Sequence, residues 1–176
     1  MTHLTPFITR ILLLFLLLAS LPAAATTPIS KEKLLRIISA SESGHDWTAQ
    51  NHRLYIGQWQ MGRDAFLSAG YSPKRVGYIF REFHRNHDVM GPEEQRRAVQ
   101  RWFKHLEEEM APEIRRYNDK TVCGIRVTKA GILASAHRVG TTNLKIFLRS
   151  KHSRYRDRII CTLRKYATTT MPESFV

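Results

Sequence analysis

Val99, Trp102, Phe103, Leu106 and Met110 recur at helical spacing, 99, 102/103, 106 and 110, behind Pro92-Glu93-Glu94, and the run closes at Pro112. Large apolar residues at that spacing share one face of an α-helix. Proline at the first position with acids beside it opens a helix, and proline inside one tends to end it. The pattern predicts a long amphipathic helix from Pro92 to Pro112 whose apolar face is core, with Glu107-Glu108-Glu109 at its solvated end. Other segments repeat the signal. Leu34, Leu35, Ile37 and Ile38 follow Ser30, an N-cap residue, and stop before Gly44. Gly62 and Gly70 bracket Ala65, Phe66 and Leu67, and Ser72-Pro73 forms a cap and first-position pair. Thr128 caps a helix through Ile132, Leu133, Ala134 and Ala136 closed by Gly140, whose small residues allow close packing. Thr141-Thr142 caps another through Leu144, Phe147 and Leu148, and Arg158 to Tyr166 forms the last, through Ile159, Ile160 and Leu163. The aromatic, basic stretch Tyr78 to Val89 has no clear period. The expectation is a mainly α domain with six or so helices, little strand, and no repeats or low-complexity linkers.

The start of the chain carries Arg10, the apolar run Ile11 to Leu18, and then Leu21-Pro22-Ala23-Ala24-Ala25. A basic flank, an apolar stretch and small residues at a cleavage site make a secretory signal. Residues 1–25 are therefore expected to be a signal peptide, and residues 26–176 one domain, periplasmic or secreted. The charge-free run Ile11 to Ala25 is shorter than the roughly 20 residues a spanning helix needs, so no stable membrane span should remain after cleavage. No cysteine stands at the junction to receive a lipid.

Lys and Arg number 28 against 15 Asp and Glu, a formal charge of +13, and removing the leader takes away one arginine and no acid. Export makes nucleic acid a poor partner for this basic surface, as does the scatter of its charges along the chain. Peptidoglycan, anionic lipid headgroups and acidic polysaccharides are the partners that a cationic exported surface would concentrate. Cys123 and Cys161 are the only cysteines. In an exported chain they could form one disulfide tying the C-terminal helix to the body, worth about 4 kcal/mol in the chain-entropy model, or remain two buried thiols. The eight histidines form no H-E-x-x-H pattern and join no cysteine pair, so neither metal nor cofactor is expected.

Glu42 is the candidate for chemistry. It falls one turn beyond Ile38 on the apolar face of the first predicted helix, in its last turn. Desolvation and the negative end of the helix dipole would both favour the protonated acid there, which is what a general acid requires. The competing reading is a solvated last-turn glutamate. Between His45 and Gln60 helical periodicity fails. Trp47, Asn51, His52, Tyr55, Gln58, Trp59 and Gln60 alternate polar and aromatic character, as in an irregular loop or short hairpin lining a site. Asn51, Tyr55, Gln58 and Gln60 could touch sugar or merely satisfy loop backbone. Trp47 and Trp59 could stack on sugar or fill core, and Met61 and His137 could pack or bind.

Three strings stand in order: Glu42-Ser43-Gly44, Gly57-Gln58-Trp59-Gln60 with Met61-Gly62, and Ala136-His137-Arg138-Val139-Gly140. Together they resemble the lysozyme-like lytic transglycosylases, in which a Glu-Ser pair ends a helix, a Gly-x-x-Gln string follows, and an Ala-Tyr-Asn-x-Gly string lies on a later buried helix. Pro92-Glu93-Glu94-Gln95 and Ile125 to Ala134 are similar to a branch of secreted lysozyme-like proteins, so the resemblance covers about residues 30–150. It implies a lysozyme-like helical domain with a short irregular or β-hairpin loop lining the cleft, acting on peptidoglycan glycan strands. Glu42 would be the sole acid and base. Ser43, Asn51, Tyr55, Gln58, Gln60, Met61 and His137 would contact or orient substrate. The chain departs from the family at His137, where Tyr is usual, at Arg138, where Asn is usual, and at His45-Asp46-Trp47, where glycine and asparagine are usual. In the expected reaction Glu42 protonates the MurNAc-GlcNAc glycosidic oxygen and then helps the 6-hydroxyl close a 1,6-anhydromuramyl ring. A second carboxylate, Asp46 or Asp64, would instead make a hydrolysing muramidase. An inactive glycan-binding module, a toxin-like effector or a secretion-apparatus component are the other readings.

Overall fold

The protein is described by a computed structural model over residues 28–172, and the leader expected at residues 1–25 lies outside the described residues. Helix α1 spans Lys31–Ser43. The Ser30 hydroxyl accepts the Lys33 N–H at 3.2 Å to start it, and Gly44, left-handed at φ 66°, ends it. After a loop come α2 (Arg63–Ser68) and α3 (Pro73–Glu82), the latter capped by Ser72. The stretch without a clear period resolves into the end of α3 and a 3-10 turn, His87–Met90.

Helix α4 runs Pro92–Tyr117, 26 residues, and passes straight through Pro112. This corrects the expected end. Pro112 removes one rung of the ladder, to the carbonyl of Glu108, but Met110 and Glu113 on either side are buried, and their packing holds the helix together. The acidic run is not a solvated end either. Glu107 pairs with Lys129, Glu109 with Lys145 at 2.9 Å, and Glu113 with Arg149 at 2.8 Å, so the acids fasten α4 to the two helices that follow the hairpin.

Strands β1 (Thr121–Val122) and β2 (Ile125–Arg126) form an antiparallel pair with Thr121 opposite Arg126. Their turn is Cys123-Gly124, both left-handed, at φ 51° and 73°. Helix α5 (Lys129–Val139) then runs through the middle of the molecule, followed by α6 (Thr141–Ser150) and α7 (Arg156–Lys165). The N-cap of α6 is Gly140, with both threonines already inside the helix.

The core forms where α4, α6 and α7 pack on α5. Ile132, Leu133 and Ala136 of α5, Phe103, Leu106 and Met110 of α4 and Phe147 of α6 have no exposed surface. Each large side chain so buried contributes about 1.5–3 kcal/mol. The small residues of α5 allow this approach: a methyl on Gly131 would lie 3.2 Å from Leu163 Cδ2. Thr128 Oγ1 caps α5 by accepting the Gly131 N–H at 3.1 Å and donates to the Tyr166 carbonyl at 2.8 Å.

That contact does what was expected of a disulfide. Cys123 and Cys161 are both unpaired and both exposed, one in the hairpin turn and the other on the outer face of α7, so the expected bond is absent and neither thiol is buried. An even cysteine count states that a bridge is possible; only geometry states that two sulfurs meet. Among the described residues no helix is long and apolar enough to cross a membrane.

Candidate functional site

The last turn of α1 brings Glu42 to the edge of a groove. Its side chain keeps 21% of its surface exposed, and Oε1 lies 3.9 Å from Nε of Arg138 on α5. Beneath it are Ile38, Ala134 and Thr162 and the ring of Tyr166, buried at the end of α7. Burial, and then the negative charge of Glu42, push the Tyr166 phenol up to about 12. The groove has two joined lobes. The smaller, about 310 Å³, contains Glu42, Asn51 and His52; the larger, about 480 Å³, contains Asp64, Phe80, Trp102 and Tyr155. Arg53, Tyr55, Gln60, His137, Arg138 and Arg158 line both.

The wall opposite α5 is the loop after Glu42, whose backbone is held both by its own turns, such as the Gly57 N–H to the Ala49 carbonyl at 2.8 Å and the Asn51 N–H to the Tyr55 carbonyl at 3.1 Å, and by side chains that reach it. His45 is left-handed at φ 72°, an unusual conformation for a residue with a Cβ, and its Nδ1 lies 2.9 Å from Ser39 Oγ. Ser43 donates its hydroxyl to the Gln58 carbonyl at 2.9 Å. Gln95, buried on α4, accepts the Gln58 N–H at 2.9 Å and donates to the carbonyls of Trp47 and Met90, each at 2.8 Å. Gly57 is required where it stands. It is left-handed at φ 75°, and a Cβ there would come within 2.1 Å of Gln95 Oε1. Gln60, at φ 47°, donates to the Gly57 carbonyl at 3.0 Å and accepts from Asn51 Nδ2 at 2.9 Å. Asn51 Oδ1 in turn accepts the N–H groups of Arg53 and Tyr55 at 2.9 and 3.1 Å. Only isolated bridges, Gln50 with Ile56 and Ile56 with Met61, give the loop a hairpin character; it is irregular, and the regular strand pair lies elsewhere, at residues 121–126.

The candidate contact residues therefore divide. Glu42, Asn51, Tyr55, Gln60 and His137 line the groove together. The amides of Asn51 and Gln60, however, are engaged with the loop's own backbone and with each other. Gln58 takes part through its main chain and lines neither lobe, and Ser43 is used in holding it. Met61 is not a contact residue: it is 2% exposed, inside the core, because its backbone pairs with Ile56 and turns its side chain inward. Tyr55 is the open member, 42% exposed, with its ring laid against Gly62 so closely that a Cβ there would approach to 2.8 Å. Trp59 is core, its indole N–H donated to the Leu35 carbonyl at 2.8 Å. Trp47 is half-buried and meets the edge of His87.

His137 has no nitrogen to spare. Trp102 Nε1 can only donate, and it lies 3.1 Å from His137 Nδ1, so that nitrogen accepts and the proton sits on Nε2, which donates to the Trp59 carbonyl at 3.0 Å. Loss of hydration pulls the imidazole below its ordinary value, with the charge of Glu42 acting in the opposite sense. A neutral, fixed His137 thus clamps the Gly57–Gln60 turn onto α4 and α5.

Of the candidate second carboxylates, Asp46 is exposed and folded back on the Thr48 hydroxyl and N–H, which hold its carboxyl below the usual range. It lines neither lobe. Asp64, in the first turn of α2, lines the larger lobe. Sequence reading missed Gln95 as the loop's anchor, Tyr166 beneath Glu42, and Arg53, Tyr155 and Arg158 in the groove. Only Gln95 left a mark, in the Pro92-Glu93-Glu94-Gln95 string. Among the described residues no group of three His, Cys, Asp or Glu side chains is arranged to hold a metal ion.

Comparison of the chain with family models, with curated proteins and with solved structures finds no match.

Proposed function

We propose that this protein is an exported peptidoglycan lytic transglycosylase of lysozyme-like fold, cleaving the MurNAc-GlcNAc bond with Glu42 as its single acid and base. The observation that carries this reading is a largely buried carboxylate, Glu42, at a helix end, opening into a groove whose opposite wall is the Gly57–Gln60 turn. In the first step the Glu42 carboxyl gives its proton to the glycosidic oxygen as the C1–O bond breaks, the GlcNAc hydroxyl leaves and the MurNAc N-acetyl oxygen closes on C1. In the second the MurNAc 6-hydroxyl bonds to C1, the bond from C1 to the N-acetyl oxygen breaks, and the hydroxyl proton returns to Glu42. No water is consumed, and the new end is a 1,6-anhydro ring. Between the steps Glu42 is an anion, and the guanidinium of Arg138 at 3.9 Å is in position to balance that charge. Asn51 and Gln60 would hold the shape of the groove, while Tyr55 offers a face and a hydroxyl to sugar.

One observation favours a second reading. Asp64 lines the same groove, and a second carboxylate about 5 to 9 Å from the first would activate water and make the enzyme a hydrolysing muramidase. Digestion of peptidoglycan in heavy-oxygen water separates the two. A transglycosylase releases anhydro-ended muropeptides without the label; a muramidase releases labelled reducing ends, and those alone would overturn the anhydro mechanism. If neither product forms, both cutting readings fall, and strand binding by the same protein then tests whether it is a glycan-binding module.

A further inference from the structure

Helix α3 has two faces of different character. Val76, Ile79, Phe80 and Phe83 turn inward, and Phe80 lines the groove. Lys74, Arg75, Tyr78 and Arg81 turn outward at helical spacing, and His84 and Arg85 stand exposed just past the helix end. The outer residues line neither lobe of the groove; with Ser72 they surround an open pocket of about 390 Å³. The one acid beside them, Glu82, is engaged by Arg81 at 2.7 Å. Other exposed faces are made differently. On α4, Glu93 faces Arg96 and Glu94 faces Arg97, so the charges largely cancel. Five large apolar side chains are exposed among the described residues: Leu54 and Tyr55 at the groove, Leu67, Tyr78 and Ile146. The cations beside Ile146, Lys145 and Arg149, are spent on Glu109 and Glu113. Tyr78 alone of the five has a guanidinium on either side of its ring, Arg75 at 5.5 Å and Arg81 at 5.8 Å from the centroid. Arg75 is fixed there by donating to the Val89 carbonyl at 2.7 Å, and both guanidinium groups keep further N–H donors for a ligand.

We infer that the outer face of α3 docks on the surface of an anionic lipid bilayer, with lipid phosphates received by Lys74, Arg75 and Arg81 and the Tyr78 ring at headgroup depth. Charge complementarity sets the sign of the partner, and the tyrosine sets its kind. A ring with a polar tip between long basic side chains suits a boundary that is wet on one side and apolar on the other, whereas a soluble polyanion offers the ring nothing apolar. The face is also the outer side of a helix, which meets a sheet of headgroups more readily than it encloses a single strand. Docked in this way, the protein would hold the groove on the other side of α3 away from the bilayer. The inference is independent of what the groove cuts.

The test cosediments the mature chain, residues 26–176, with vesicles of equal parts phosphatidylglycerol and phosphatidylcholine and with vesicles of phosphatidylcholine alone. The leader is left off because an apolar run such as Ile11 to Leu18 enters bilayers of any charge. At physiological salt the anionic vesicles are expected to bind about 10-fold tighter or more, as two or more basic groups at such a surface would give. Lys74→Gln/Arg81→Gln should lower that affinity about 10-fold with thermal unfolding unchanged. Lys33→Gln/Arg36→Gln, which removes the same charge from the exposed side of α1, should change it less than about twofold. Tyr78→Ser should weaken binding a few-fold, and that loss should persist at high salt, where the loss from the charge pair shrinks. Equal binding to neutral vesicles, or none to either, overturns the inference. So does an α1 pair as costly as the α3 pair, since net charge alone would then be acting, or a Tyr78→Ser protein that binds as wild type. Alginate, a soluble acidic polysaccharide, bound more tightly than the vesicles and lost in the same α3 variants would make the face a polymer site and overturn it too. Cleavage of soluble glycan strands by Lys74→Gln/Arg81→Gln separates this inference from the transglycosylase reading: strands cut at the wild-type rate without vesicle binding remove only the docking surface.

Discussion

The loop at residues 45–62 sends Ile56, Trp59 and Met61 into the core, but its groove-facing turns and the helical layer beneath them are held in different ways. The layer is apolar and close-packed, with Phe103, Leu133, Ala136 and Phe147 wholly buried. The loop is held by polar side chains that reach backbone: Gln95 to three main-chain groups, Gln60 to Gly57, Asn51 to Arg53 and Tyr55. Packing energy is spread over many contacts, while a hydrogen-bonded loop concentrates its geometry in a few atoms. Damage to the layer should lower the fraction folded, and damage to the loop should lower turnover by the molecules that remain folded.

The largest stability effect should come from Phe147→Ala in α6, away from the groove. A buried phenylalanine truncated in a tight core costs about 3–5 kcal/mol. Urea unfolding should show that loss while turnover per folded molecule stays at the wild-type value; a matching loss of turnover would break the contrast.

Next comes Gln95→Leu. Removing its three hydrogen bonds strands the Gln58 N–H and the carbonyls of Trp47 and Met90, for a loss of roughly 2–4 kcal/mol. Here turnover per folded molecule should fall at least about tenfold, since the Gly57–Gln60 turn loses its anchor. Retained turnover would mean that the turn does not shape the groove.

His137 joins the two regions, and pH reads the joint. Burial holds its imidazole below the ordinary value of 6.5, so the unfolded chain takes up a proton that the folded protein refuses. More protons bind the unfolded state on the acid side of 6.5, and stability must fall as pH drops from there toward the depressed folded value. His137→Gln cannot titrate. Its stability gap from wild type should therefore narrow between about pH 7.5 and about pH 5 in urea unfolding, and a constant gap would place His137 outside the linkage. The smallest effect belongs to Cys123→Ser/Cys161→Ser. A native bridge there would have contributed about 4 kcal/mol, so a melting temperature unchanged by the double substitution and by reductant is expected.

What could be read in the chain beforehand was local. Ser30 and Gly44 bound α1 because a cap acts within one turn, and the stripe from Val99 to Met110 announced α4 because periodicity belongs to one segment. Pro112 misled because the cost of a missing rung is set by local chemistry, whereas the reward for continuing is set by packing against distant helices. The anchor of the loop was illegible because Gln58 and Gln95 are 37 residues apart, and nothing in either neighbourhood names the other. Glu42 was legible as a helix-end carboxylate, but Arg138, 3.9 Å away, is known only from the fold. The same holds for the charge: Arg53, Arg63 and Arg158 look scattered along the chain and converge on one groove.

The most direct measurement is the release of anhydro-ended fragments from peptidoglycan by wild type and by Glu42→Gln, with thermal unfolding and strand binding followed on the same samples. Under the proposed mechanism Glu42→Gln should lower release by about a thousandfold or more and leave unfolding and binding at wild-type values. Release by Glu42→Gln at the wild-type rate would contradict the assignment of this carboxylate as the acid and base.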